Sequence, residues 1–139
     1  MNVKFNSFGN AIAKNDMDSV TLKGMSMATS YTPDADAHQY VSDISASRAA
    51  GTTDITLTSF TITVNDTDDA TDFDVADLVT GTITATTDKL VVYIDTGVEA
   101  TSELLCCLDL VDGSGTPTTF SVVAGVLTAQ VNTRGLFSI

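Results

Sequence analysis

The stretch TGTITATTDKLVVYIDTG, residues 80–97, decides the fold of this chain. Its first part alternates apolar and polar residues around Ile83 and Ala85, and its second part is apolar without a break from Leu90 to Ile94. Alternation with period two is typical of a half-buried strand, and a short unbroken apolar run is typical of a strand covered on both faces. We therefore predict strand here, with the second part either in the middle of a sandwich or under a partner.

The neighbouring stretches repeat the strand pattern. SELLCCLDL (102–110) is apolar on both faces, and DITLTSFTITV (54–64) alternates with a change of phase at 58–59 that indicates a bulge or a corner. SVTLKGMSM (19–27) shifts phase in the same way, and VDGSGTPTTF (111–120) carries the Gly and Pro of a hairpin loop. Short strands separated by such turns predict an all-β fold, mainly an antiparallel β-sandwich or jelly-roll-like domain.

One short helix is predicted near residues 33–46. Thr32 is a suitable N-cap, Pro33 suits the first helical position, and Asp34 and Asp36 fall in the first turn, where the helix dipole favours acidic side chains. Apolar residues then recur at helical spacing: Ala37, Tyr40, Val41 and Ile44.

The N-terminal residues 1–16 are predicted to form an arm, followed by a single β-sandwich domain over residues 17–139. Phe5, Phe8 and Ile12 are spaced for a short helix, or for an arm that docks on another molecule, and Lys4 and Lys14 flank them. If the arm is not folded back, only a neighbouring molecule can cover its apolar side chains. Because the strands of the core begin later, we expect the β body to fold without residues 1–14.

Composition excludes several classes of partner. The formal net charge is -12 with only 6 Lys and Arg residues, so the chain lacks the basic surface that nucleic acid or an anionic membrane requires. No apolar run approaches the length of a membrane span, and residues 1–16 lack the apolar run of a signal peptide. We expect a basic face on the partner.

We expect neither an enzyme nor a bound cofactor. Cys106 and Cys107 are adjacent, so in a strand they point to opposite faces, and we interpret both as reduced core thiols of a protein made in a reducing cytoplasm. His38 is the only histidine, and no nucleophile motif or phosphate-binding glycine loop accompanies it. The two thiols and one imidazole also make a poor zinc site.

The aspartate-rich stretch NDTDDATDFDVAD (65–77) is the one candidate metal site. Asp66, Asp68 and Asp77 fall at the first, third and twelfth positions of a calcium loop, which needs six to eight oxygen ligands. Ala70 and Thr71 occupy positions where that loop needs an oxygen ligand and a glycine. We therefore favour a solvated turn over a calcium site, with an acidic docking patch as the third alternative.

Three stretches resemble a family of small virion proteins of tailed bacteriophages: SYTPDADAHQYVSDIS, FDVADLVTGTITATTDKLVVYIDTG and SELLCCLDL. The resemblance spans roughly residues 17–125 and rests on the order of the motifs, although the tryptophan usual after the acidic segment is replaced by Leu78 or Val79. The matching residues are Tyr31, Pro33, Asp36, His38, Phe73, Asp74, Asp77, Val91, Val92, Tyr93, Asp95, Thr96, Gly97, Leu104, Leu105, Leu108, Asp109 and Leu110.

The resemblance implies a virion structural protein without catalytic residues. The leading hypothesis is a capsid decoration (cement) protein that binds the major capsid protein, or other virion proteins, and stabilises the assembled shell. A homo-oligomer, with a trimer favoured, is expected from closed symmetry. The alternatives are a tail, neck or fibre-base component of the virion, and a calcium-dependent carbohydrate-binding adhesion module.

Overall fold

Antiparallel β-strands make up most of the structure, a computed structural model that describes residues 2–131 and 137–138. The strands form four sheets, and two short helices lie in the described residues. The prediction of an all-β fold with a short helix is therefore confirmed.

The elements are numbered along the chain. The helices are α1 (Ser7–Lys14) and α2 (Val41–Ile44). The strands are β1 (Val3–Lys4), β2 (Thr21–Met27), β3 (Ile55–Thr56), β4 (Thr61–Asn65), β5 (Ala70–Asp74), β6 (Leu78–Val79), β7 (Ile83–Thr87), β8 (Lys89–Asp95), β9 (Leu104–Asp109), β10 (Phe120–Gly125), β11 (Thr128–Ala129) and β12 (Phe137–Ser138).

The largest sheet has five strands in the order β1-β9-β8-β2-β3. Its central strand β8 contains the unbroken apolar run, and it pairs with β2 along seven residues, from Lys89 opposite Met27 to Asp95 opposite Thr21. On its other side β8 pairs with β9. Leu90 to Ile94 are all buried, so the prediction of a strand covered on both faces is confirmed.

Two apolar clusters cover the two faces of this sheet. Leu90, Val92 and Ile94 point into the first cluster, and Val91 and Tyr93 point into the second. Successive side chains of a strand alternate between faces, so an unbroken apolar run supplies both clusters at once.

A bulge in β9 decides how its cysteines are placed. Val92 lies opposite Cys106 and Tyr93 lies opposite Leu104, which leaves Leu105 as the additional residue. Cys106 packs in the first cluster and Cys107 in the second, and both thiols are buried and free. The prediction that the two cysteines are unpaired core thiols on opposite faces is confirmed.

Three smaller sheets complete the described fold: β10 with β7, β11 with β6, and β12-β5-β4. A left-handed residue, Ser59 with φ 56°, separates β3 from β4. The phase change at 58–59 is therefore a corner, at which the chain leaves the large sheet for a small one.

The short helix predicted near residues 33–46 is present but covers only the last part of that range. The helix α2 begins at Val41 and is followed by a single 3-10 turn, Ser45–Ser47. Residues 34–37 form a turn in which Asp34 Oδ1 accepts hydrogen bonds from the backbone N–H groups of Asp36 and Ala37. The chain between this turn and α2 forms hydrogen bonds with the start of β9, where the Leu104 N–H donates to the Gln39 carbonyl. That pairing prevents the two segments from joining into one helix.

The N-terminal residues lie on the β body. β1 pairs with β9, with Val3 opposite Cys107, and α1 follows directly. Phe5 is 2% exposed in the second cluster, and Phe8 is 8% exposed in the first. The condition under which these two side chains would need a partner, an arm that is not folded back, is therefore not met, because the chain itself covers them.

Candidate interaction surface

Large apolar side chains are exposed mainly in the part of the molecule built from the small sheets. Val123 on β10 is 80% exposed and Val64 on β4 is 73% exposed, whereas every apolar residue of β8 is buried. The exposed set is Ile62, Val64, Val79, Val98, Val111, Val123 and Val126. Single exposed apolar residues are normal, and a contiguous patch of them would mark a surface that another molecule covers, so the exposed residues of the small sheets are the candidates for such a surface.

An apolar groove is lined in part by one of these exposed residues, Val111. Its volume is about 750 Å³, and the half-buried side chains of Leu108, Leu110, Phe120 and Leu127 line it together with Leu90. The groove runs between the end of β9 and the segment that contains β11. Its walls are mainly apolar, with polar side chains that include Asn2, Asp109 and Asp112, so it offers contact chiefly to an apolar group.

The aspartate-rich stretch forms the turn of the β4–β5 hairpin. Asn65 organises it, because its Oδ1 accepts hydrogen bonds from the N–H groups of Thr67 and Asp68 and its Nδ2 donates to Asp68 and Asp72. Asp69 adopts the left-handed conformation with φ 49° that closes the turn.

The three candidate metal ligands are not brought together. Asp66 and Asp68 lie in this turn, whereas Asp77 follows β5 and its Oδ1 accepts a hydrogen bond from the Val131 N–H at 2.9 Å. Within residues 2–131 and 137–138, no group of three or more His, Cys, Asp or Glu side chains is arranged to hold a metal ion. The geometry favours a hairpin turn.

The predicted interface residues belong to the contact between α1 and the body. The Lys4 ammonium lies 5.4 Å from the centre of the Phe8 ring, a cation–π distance. Ile12 is half-buried against the first cluster. Lys14 Nζ forms an ion pair with Glu103 Oε1, so both predicted lysines are used within the chain.

Glu103 was not singled out by the sequence, yet it is the buried acid that fixes α1. It is 3% exposed, and its Oε1 also lies 3.4 Å from Asn10 Nδ2. Its Oε2 has no hydrogen-bond partner in the described residues. Burying a carboxylate is costly unless it is paired, so Lys14 holds the N-terminal helix in place as well as neutralising Glu103.

A second polar network was also not predicted from the sequence. Asp54 accepts two hydrogen bonds from the Arg48 guanidinium, at 2.8 and 2.9 Å, and one from the Tyr93 hydroxyl at 2.6 Å. Burial, followed by this hydrogen bond to a carboxylate, raises the pKa of Tyr93. The network connects the loop before β3 to the central strand β8, so its role is structural.

His38 is used locally. Its Nδ1 lies 3.1 Å from both the Tyr31 hydroxyl and the Asp34 amide nitrogen, and its ring stacks on Tyr31. Asp95, the last residue of β8, pairs with Lys23 and accepts a hydrogen bond from the Gly97 N–H. Each of these groups has a structural partner in its own neighbourhood.

No helix in the described ranges is long and apolar enough to cross a membrane. Comparison of the chain with protein-family models, with curated proteins and with solved structures found no match.

Proposed function

We propose that this protein is a structural component of a tailed-bacteriophage virion, and that it acts as a capsid decoration (cement) protein. One observation supports an interaction role above all: a strongly acidic chain exposes Val64 at 73% and Val123 at 80%, and it also has an open apolar groove lined in part by the exposed Val111. The sequence resemblance supports the virion as the setting. The proposed role is structural, without catalysis or a cofactor.

The exposed surface suits a partner that is itself large and fixed. A stable protein contact combines a desolvated apolar centre with a polar rim, and here acidic residues such as Asp109 and Asp112 stand beside the groove. We propose that the partner is the major capsid protein, or another virion protein, and that it presents a basic face to this acidic chain.

Such a protein stabilises the shell by mass action. It binds the assembled shell and not the dissociated subunits, so the free energy of disassembly rises with its concentration. Copies of the chain on a symmetric shell would occupy symmetric positions, and a trimer remains the favoured oligomer of this proposal.

The deciding experiment is a count of copies in purified particles by quantitative mass spectrometry, against the major capsid protein as internal standard. Decoration predicts a number of copies comparable to the number of capsid subunits, and a higher disassembly temperature for decorated than for undecorated shells. A few copies per particle would assign the chain to the tail, the neck or the fibre base. Its absence from particles would overturn the virion proposal.

A matched pair of exposed valines tests the surface. Val123→Lys alters β10, among the small sheets, and Val98→Lys alters the loop after β8, where the valine is 57% exposed. We expect the first variant to lower the number of copies bound to undecorated shells, because it places a cation on the contact, and the second to bind normally. Equal binding by both would contradict the use of the small-sheet surface.

A further inference from the structure

The strand β4 is an open edge of the three-stranded sheet. It pairs with β5 in an uninterrupted register from Thr61 opposite Asp74 to Asn65 opposite Ala70, and β5 is its pairing partner among the described strands. The side chains of residues 61–64 are exposed on both faces of the strand, with Val64 at 73%. One row of backbone N–H and C=O groups therefore faces outward along a strand of five residues.

Other sheet edges in the described residues are short or obstructed. β1, β3 and β12 have only two residues each. β10 is interrupted by a register shift and by Ala124 with φ 45°. The second edge of β7 is approached by the loop at Gly51, where a Cβ would lie 2.3 Å from the Thr84 carbonyl oxygen.

None of these protections is present on β4. Proteins commonly guard exposed edges with charged residues, proline or bulges, because an unguarded edge pairs with another strand. Residues 55–65 contain no charged residue and no proline, in a chain with net charge -12. The residues of β4 itself are β-branched apart from Asn65, a composition suited to pairing.

We propose that β4 pairs antiparallel with β4 of a second copy of this chain, with Thr63 on the two-fold axis. In this register Ile62 lies opposite the partner's Val64, and Thr61 lies opposite the partner's Asn65. Residues directly opposite each other in an antiparallel pair point to the same face. The apolar side chains of both copies therefore meet on one face of the joined sheet, and the polar ones meet on the other.

The charge distribution permits this register. The acidic turns that begin at Asp66 lie at opposite ends of the paired strands, six residues apart along the strand, or about 20 Å. That distance exceeds the Debye length of about 8 Å at physiological ionic strength, so the turns repel each other only weakly. A register centred on Val64 would place Asp66 opposite the partner's Ile62 and bring the turns closer together.

The contact is isologous, so it joins two copies and not three. It differs in this respect from the expected trimer, which would need a contact elsewhere on the surface. It also stands apart from the virion proposal, because it concerns the isolated chain in solution.

The first test is the molar mass of the full chain by light scattering over a range of concentrations. We expect the mass to approach twice 14.5 kDa as the concentration rises towards about 100 μM. Val64→Lys should weaken the pairing at least tenfold, because it replaces one of the two apolar side chains that meet across the axis. Val123→Lys is the control, since it makes the same change on β10, and it should pair like the original chain.

A mass that stays at 14.5 kDa at every concentration would overturn the proposal and leave the edge to a strand of a different protein. Equal pairing by the Val64→Lys and Val123→Lys chains would overturn it too, because the copies would then meet through another face.

The second test fixes the register by cross-linking. Thr63→Cys places two thiols opposite each other at a Cα separation of about 5 Å, within the range of a disulfide. Thr61→Cys is the matched exposed control, and its two thiols would be about 14 Å apart along the strand. The native thiols Cys106 and Cys107 are buried at 2% and 0% exposure, so they do not compete.

Under mild oxidation we expect covalent dimers from the Thr63→Cys chain and at least tenfold fewer from the Thr61→Cys chain. Equal yields, or no dimer from either chain, would overturn the proposed register.

Discussion

The strands β8 and β4 both contain valine and isoleucine, but they have opposite surroundings. Val92 in β8 is 0% exposed and Val64 in β4 is 73% exposed, although both lie in short runs rich in β-branched residues. β8 has a strand on each side and an apolar cluster on each face, whereas β4 has one neighbouring strand. A valine is therefore core in β8 and exposed surface in β4 according to the strands and clusters that surround it.

The two regions therefore depend on different contacts. The five-stranded sheet is covered by residues of its own chain, so it can stabilise itself by burial. The sheets of two and three strands have less cover, and small sheets are marginal unless something packs on them. In the proposals above, a second molecule supplies that cover.

The largest effect is expected from placing a charge in the covered strand. Val92→Asp buries a carboxylate without a partner and should destabilise the protein by about 5 kcal/mol, or prevent folding. Val64→Asp makes the same chemical change at the exposed strand and should cost the monomer about 1 kcal/mol or less. Urea unfolding followed by circular dichroism measures both, and similar losses for the two variants would remove the contrast between the strands.

The next largest effect concerns the N-terminal segment. Phe5→Ala removes a fully buried ring from the second cluster and should lower the free energy of unfolding by about 3–5 kcal/mol. Ile12→Ala, at a half-buried position of the same segment, should cost less. The same urea experiment measures both variants. An unchanged stability for Phe5→Ala would mean that the N-terminal segment does not stabilise the β body.

A smaller effect is expected from the polar network on β8. Tyr93→Phe removes the hydroxyl that donates to Asp54 and should cost about 1.5 kcal/mol, the value typical of a hydrogen bond to a charged group. Tyr40→Phe is the comparison, because the Tyr40 hydroxyl accepts a hydrogen bond from the exposed Gln39 amide instead of donating one to a carboxylate, and it should change stability less than Tyr93→Phe does. Thermal melting compares the two variants, and equal shifts would mean that the network does not stabilise the sheet.

The effect that matters least at neutral pH is a loss of stability in alkali. Burial raises the pKa of Cys106 to about 12 and that of Cys107 to about 11, from 9.0. The unfolded chain thus loses its thiol protons at lower pH than the folded chain, so the free energy of unfolding falls as the pH rises from about 9 towards 12. Cys106→Ala should make this decline shallower, as urea titrations at several pH values would measure. A thiol reagent that labels both cysteines of the folded chain at pH 8 would contradict the burial.

The strands of the large sheet could be predicted because their signals are local. The apolar runs of β8 and β9 and the corner at 58–59 are visible in the sequence. The phase shift in 19–27 predicted a bulge, but β2 pairs with β8 in an unbroken register. The apolar and polar residues of β2 do not have to alternate, because apolar clusters cover both faces of the sheet. Leu22 packs in the cluster on one face and Met25 in the cluster on the other.

The remaining features depend on contacts between distant parts of the chain. The residues at 32–36 predicted the start of a helix, but they form a turn. Hydrogen bonding with β9 prevents the chain after this turn from continuing as the predicted helix. The spacing of Phe5 and Phe8 predicted a helix without saying what it packs against. The ion pair of Lys14 with Glu103 joins residues far apart in sequence, so no local pattern could reveal it.

Hydrogen exchange of the full chain, measured by mass spectrometry at low and high protein concentration, tests the contrast between the two strands most directly. The account predicts that the amides of β8 and β9 are strongly protected at both concentrations. It also predicts that the amides of β4 exchange quickly in dilute solution and become protected when the chain is concentrated. Protection of β4 equal to that of β8 in dilute solution, or rapid exchange of β4 at both concentrations, would contradict it.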